Sequence, residues 1–135
     1  MMHMRGNPQT MQTLTDYNDI VKGMLFYFSV KVAKARSFGI NDLIIDPGFG
    51  FAKTIDQNYE VFQKMELLNI LELPLLVGIS RKSMIYKTLN TTIENALNGT
   101  TVLNTLALTK GAKILRVHDV KEAMECVALF NKINL

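Results

Sequence analysis

Three short stretches of the sequence gather most of the residues able to do polar chemistry. Asp46-Pro47-Gly48-Phe49-Gly50-Phe51 sets a carboxylate beside two Gly-Phe pairs. Gly78-Ile79-Ser80-Arg81-Lys82-Ser83 sets two cations between two hydroxyls, and Arg116-Val117-His118-Asp119 joins an arginine, a histidine and an aspartate. A carboxylate such as Asp46 can accept parallel N–H bonds from the amino-substituted edge of a flat heterocycle, and two glycines beside two aromatic rings let a backbone bend close to such a ligand. Asp-Pro-Gly is equally a common turn opener, so both readings stand for Asp46. Lys82 offers a point charge, and Ser83 at the start of a helix would add backbone N–H groups for an anion. The same tetrapeptide also reads as a solvated basic turn with a serine cap. In an extended chain Arg116 and His118 share a side, a spacing suited to holding a phosphate or pyrophosphate. His118 and Asp119 have no third strong ligand near them in sequence, which argues against a metal centre, and Asp119 reads better as the cap of a helix starting at Val120. His3 reads as structural, and Cys126, inside a helical pattern, as an inert thiol. A phosphate-binding glycine loop, a dinucleotide fingerprint and a nucleophile elbow are all missing from the sequence.

The elements around these clusters must bring them together. Each cluster follows a continuous apolar run: Leu43-Ile44-Ile45, Leu75-Leu76-Val77 and Ile114-Leu115. Unbroken apolar character suits strands of a parallel sheet covered on both faces. Helical patterns separate the runs. Ile20, Met24, Phe28, Val32 and Ala35 recur every three or four residues, with Gly39 as a C-terminal cap. Val61, Phe62, Met65, Leu68 and Leu71 repeat the pattern, closed by Pro74. Thr91 and Glu94 have capping-box spacing, ahead of a stretch through Val102, Leu103 and Leu106 that runs to Gly111. A last helix carries Val120, Met124 and Val127. Met1-Met2-His3-Met4 reads as the end of a further strand, leading into Arg5-Gly6-Asn7-Pro8.

Asp46 and Ser80 lie 34 positions apart, and Ser80 and Arg116 lie 36 apart. A βα unit of that size, repeated, means a parallel sheet with crossover helices. Four such units are half of the eight in a closed barrel, so the expected fold is α/β, half of a TIM (β/α)8 barrel in one domain over 1–135. Ligand sites of parallel α/β sheets gather at the carboxyl ends of the strands, which places all three clusters at one mouth. Ile44, Leu76 and Leu115 are expected to face the barrel interior.

Composition excludes other classes. The 135 residues are 48% hydrophobic and 20% charged, an ordinary globular balance and not that of a disordered chain. One cysteine rules out a disulfide framework or a multi-thiolate zinc site. The first residues hold His3, Arg5 and Asn7 where a secretion signal needs an apolar centre, and the apolar runs are too short to span a bilayer, so a cytoplasmic protein without a membrane partner is expected. A net charge of +3, not gathered into one tract, suits small anionic ligands, with no nucleic acid expected.

The order and spacing of four motifs resemble dihydropteroate synthase: Met2-His3-Met4-Arg5-Gly6-Asn7-Pro8-Gln9-Thr10-Met11-Gln12, Asp46 through Lys53, Gly78 through Ser83, and Arg116-Val117-His118-Asp119-Val120. The resemblance covers the chain and is to the C-terminal half of that family's barrel. It implies a reaction in which 6-hydroxymethyl-7,8-dihydropterin pyrophosphate loses pyrophosphate and the amine of 4-aminobenzoate takes its place, with sulfonamides competing for the aminobenzoate subsite. It implies that Asp46 binds the pterin's amino-pyrimidine edge, and that Lys82, Arg116 and His118 are the catalytic cations, Arg116 and His118 holding the departing pyrophosphate. Ser83 would receive the aminobenzoate carboxylate and Phe51 would line its pocket. Met2, Met4 and Gly78 would pack the pterin, and Ser80, Arg81 and Pro8 would complete the substrate-binding set. The resemblance further implies a homodimer, and Mg2+ as the cofactor of the intact family, its ligand region lying outside this chain. Little synthase activity is expected of the chain alone. A pterin-binding methyltransferase, which also grips a pterin with a strand-end aspartate, and a non-catalytic, self-associating half-barrel are the alternatives; the Ser80–Ser83 motif favours the synthase.

Overall fold

The computed structural model describes residues 1–133. Its frame is a parallel ladder of four segments in chain order. Strands β1 (Leu75–Val77) and β2 (Ala112–Leu115) pair in parallel. Ile45 bridges to Leu75 on one side, and Asp46 bridges to Met2 on the other. The expected strand at 43–45 is thus realised as single-residue bridges, held by Leu76 N–H donating to Ile45 O at 2.8 Å and Asp46 N–H donating to Met1 O at 2.8 Å.

Helices follow each segment. α1 (Ile20–Ser37) starts at Asp19, whose carboxylate accepts from Lys22 N–H. It ends where Gly39, at φ 78°, takes the left-handed turn that lets its N–H reach Arg36 O, as its spacing predicts. α2 (Ile55–Gln63) opens with a reciprocal Thr54/Gln57 capping box. The helix predicted to run on to Leu71 breaks at Lys64 into a 3-10 segment, Met65–Leu71. The reason is in the sequence: Met65, Leu68 and Leu71 are spaced by three, the period at which 3-10 side chains align. α3 (Ser83–Tyr86) is a single turn, and α4 spans Leu97–Thr109. The capping box expected at Thr91 and Glu94 is not used, because the Arg81 guanidinium claims the carbonyls of Ile93 and Glu94 and holds this stretch as a turn. α5 spans Val120–Ile133.

The helices cover one face of the ladder. Phe28 and Met24 of α1, Val61 of α2, Met65, Leu75 and Val77 are almost wholly buried together, at about 1.5–3 kcal/mol for each large side chain removed from water. The other face is the inside of the half-barrel. Ile44 is exposed there, and Leu76 is half-buried. Leu115, expected beside them, instead packs against the helix-side core. A register irregularity between Leu75 and Leu76 pairs Leu76 with Ile114 and Val77 with Leu115, so Ile114 takes the interior position.

Candidate active site

The four segments end at one edge of the ladder, and the polar clusters meet there. Asp46 is buried. Its Oδ1 accepts from Gly48 N–H at 2.8 Å and its Oδ2 accepts from Arg116 Nη2 at 3.0 Å. The turn reading of Asp46 holds, since its carboxylate closes the turn onto Gly48 N–H, and each of its oxygens keeps a second lone pair. Arg116 remains half exposed and lies along Gly78, where a Cβ would stand 2.8 Å from Nη2. Gly78 thus makes room for Arg116.

Lys82 reaches the Asp46 loop from the other side. Its Nζ donates to Phe49 O and lies 4.5 Å from the centre of the Phe51 ring. Burial pushes the ammonium down to about 8, Asp46 pulling it up and Arg116 adding to the fall. Lys82 and Phe51 thus lie against each other beside the Asp46 loop. His118 is exposed. Buried Ser80 holds it, with Oγ 2.9 Å from Nδ1 and accepting the His118 N–H at 3.2 Å. Nε2 is the ring nitrogen not engaged by Ser80.

The remaining candidate residues lie differently. Arg81, at φ 54°, turns its side chain into protein partners. Nε and Nη2 donate to both Asp119 oxygens at 2.9 Å, and Nη1 donates to the carbonyls of Ile93 and Glu94. Asp119 sits just before α5, but its carboxylate serves Arg81, which also holds its titration below the usual range. Ser83 is the first residue of α3; Lys82 occupies the cap position, so the serine-cap reading does not hold. Met2 and Met4 are half-buried at the first segment. Pro8 is in an exposed turn at 7–10, where Asn7 Oδ1 accepts from Gln9 and Thr10 N–H. Among the described residues no three His, Cys, Asp or Glu side chains converge. These residues by themselves offer no three-ligand site for a magnesium ion.

Three residues that local sequence patterns do not single out build the site's floor. Asn58 Oδ1 accepts from Gly50 N–H at 2.7 Å, and Thr100 Oγ1 accepts from Arg81 N–H at 3.0 Å. Lys53, almost wholly buried, donates to Gly48 O, Phe51 O and His3 Nδ1 at 3.0, 3.0 and 3.1 Å. The one available signal is a lone lysine closing an otherwise apolar Gly-Phe loop. One carboxylate, Asp46, therefore stands among the cations Lys53, Lys82 and Arg116, a mouth biased toward anions.

His3 gives a testable acid limb. Burial, then Lys53 and Arg5, hold its imidazole down to about 3. Its folded value lies below the ordinary 6.5, so the unfolded chain binds the extra proton between those limits. Stability is then full above about 6.5 and falls toward pH 3, by up to about 1.4 kcal/mol per pH unit. Urea unfolding of wild type and His3→Gln at pH 7 and pH 4 should show a distinctly smaller loss for the variant; equal losses contradict the neutral, accepting His3.

Known proteins resemble this chain in sequence and fold. The dihydropteroate synthase of Escherichia coli (strain K12) is 42% identical over 129 residues, 94% of this chain and 46% of that protein. The chain spans about half the length of the curated relatives it matches. The crystal structure of the Yersinia pestis dihydropteroate synthase in complex with a sulfonamide drug superposes with a TM-score of 0.95 at 37% identity, over 98% of this chain and 49% of that one. The Thermus thermophilus enzyme in complex with 4-aminobenzoate superposes equally well, TM-score 0.95 at 29% identity, over 99% of this chain and 56% of that one. These enzymes carry the same half-barrel. The family model of pterin binding enzymes matches residues 1–118, and the chain belongs to that family.

Proposed function

We propose that this mouth binds 6-hydroxymethyl-7,8-dihydropterin pyrophosphate and 4-aminobenzoate, and that a complete barrel carrying it joins them into 7,8-dihydropteroate. The bond from the exocyclic carbon to the pyrophosphate oxygen breaks, and its electron pair leaves with pyrophosphate. The amine nitrogen bonds to the carbon and gives up a proton. The observation that carries this reading is the buried Asp46 carboxylate paired with Arg116 and near the Lys82 ammonium, which lies against Phe51. Asp46 receives the pterin's amino edge. Arg116 and His118 Nε2 hold the leaving pyrophosphate, and Lys82 and Phe51 border the aminobenzoate, whose carboxylate goes to Ser83. Positioned charge is sufficient for such a transfer, and no covalent nucleophile is needed. The sulfonamide and 4-aminobenzoate complexes of the two related enzymes support the aminobenzoate subsite.

Substitution separates the subsites. Arg116→Ala and His118→Ala should weaken pyrophosphate binding about 10- to 100-fold and a neutral pterin much less, as loss of one charged hydrogen bond costs about 1.5–3 kcal/mol. Ser83→Ala should weaken 4-aminobenzoate instead. Equal loss of all ligands in all three variants overturns the assignment.

The chain is proposed to work in the cytoplasm as a homodimer, turning over little by itself. Among the described residues no helix is long and apolar enough to cross a membrane. Exposed Val120, Met124 and Leu129 on α5 support self-association. Light scattering at tens of micromolar, on the order of common assay concentrations, should show a dimer or larger; a stable monomer contradicts it.

A further inference from the structure

We propose that Lys53 is a positioning residue: its ammonium fixes the loop that presents Asp46 and Phe51 to the ligands by tying two loop carbonyls to His3 of the first segment. The inference deepens the function proposed above and rests on it only for the identity of the ligands.

An ammonium carries three protons and no lone pair. Lys53 Nζ has three acceptors within 3.1 Å: Gly48 O, Phe51 O and His3 Nδ1. His3 Nδ1 must therefore accept, which requires a neutral ring. That ring is itself held, edge-on to Tyr27 with centroids 5.0 Å apart, and the His3 N–H donates to Asp46 O at 2.9 Å. The loop carbonyls are equally committed. Gly48 O also accepts from Phe51 N–H, and Gly48 N–H donates to the Asp46 carboxylate. One buried nitrogen thus connects the placement of Asp46 to that of Phe51, although it touches neither side chain's ligand-facing atoms.

The arrangement has a chemical consequence. A neutral amine has two protons, so with His3 Nδ1 kept as an acceptor one of the three acceptors loses its bond when Lys53 deprotonates. The charged and titratable groups around it are His3 and Arg5 from the first segment, Tyr17 ahead of α1, Asp46 in its own loop and Lys82 ahead of α3. Burial pushes Lys53 down to about 7, Asp46 opposes the fall, and Lys82 and Arg5 add to it. The loop therefore loosens as pH rises through about 7. Global stability moves the other way. The unfolded chain keeps the Lys53 proton up to about 10.5, so between those values folding is favoured by rising pH. Local and global readouts are thereby separated.

Amide hydrogen exchange on the full chain without ligand, corrected for intrinsic rates and run from pH 6 to 8.5, tests this. Protection of the Phe51 amide should fall about tenfold across that range while amides of α1 hold, a sub-global opening. Lys53→Met should leave Phe51 poorly protected at every pH, with α1 still protected. A pH-independent Phe51 in wild type, or a uniform loss across α1 and α4 in Lys53→Met, overturns the proposal. If that variant does not fold, the nitrogen-15 shifts of the wild-type His3 ring at pH 6 decide: an unprotonated Nδ1 supports the clamp and a protonated Nδ1 overturns it. An intact exchange result combined with no pterin binding would sink the functional reading alone.

Discussion

Asp46→Asn is expected to weaken pterin binding by about 1–3 kcal/mol, a 5- to 150-fold loss, while the fold stands. The carboxylate holds two protein partners already, Gly48 N–H and Arg116 Nη2. Asparagine can keep the Gly48 bond through its amide oxygen. It then turns an N–H2 group toward Arg116, a donor facing a donor, and offers no charge to the pterin's amino edge. The guanidinium is half exposed and finds water, so the cost falls on the ligand more than on the fold. Calorimetry of the variant beside a thermal unfolding curve separates the two. Unchanged affinity with an unchanged melting temperature would remove Asp46 from the site.

A larger structural effect is expected two residues on. Gly48 has φ 68°, and a Cβ built there stands 2.1 Å from the carbonyl oxygen of His3. The left-handed conformation alone costs an ordinary residue about 1–2 kcal/mol. The clash is with main chain, so relief requires separating the loop from the first segment, breaking the His3 N–H to Asp46 O hydrogen bond and the Lys53 bonds. Gly48→Ala should therefore lose about 3 kcal/mol or more, measured as a fall in the urea midpoint. Gly23, inside α1 with nothing within 4 Å of a built Cβ, is the control. Gly23→Ala should gain about 0.5–1 kcal/mol from helix propensity. A Gly48→Ala chain as stable as wild type would mean that the loop does not lie against His3.

The mouth of the site is legible in the sequence because each apolar run stops in a polar cluster, and parallel topology brings those stops to one edge. Asp46, Lys82 and Phe51 meet for that reason. Gly39 is legible as a cap because it follows a clean helical period. What stays hidden depends on contacts between distant positions. Lys53 and His3 are 50 residues apart, and no local spacing announces their bond. Arg81 stands beside Lys82 in one cationic tetrapeptide. Its left-handed backbone turns it onto Asp119, and that pairing also takes the aspartate from its expected capping role. The different placement of Leu115 has a smaller cause. A register shift in β2 moves the interior position by one residue, and strand side chains alternate, so Leu115 changes face.

Calorimetric titration of the full chain, first with 6-hydroxymethyl-7,8-dihydropterin pyrophosphate and then with 4-aminobenzoate, bears most directly on the function. A mouth built on Asp46, Lys82 and Arg116 should bind the pterin with one site per chain, and should lose that binding in Asp46→Asn. No heat from the pterin at millimolar concentration, about the weakest affinity such a titration resolves, or binding that survives Asp46→Asn unchanged, would contradict the assignment of this mouth to pterin chemistry.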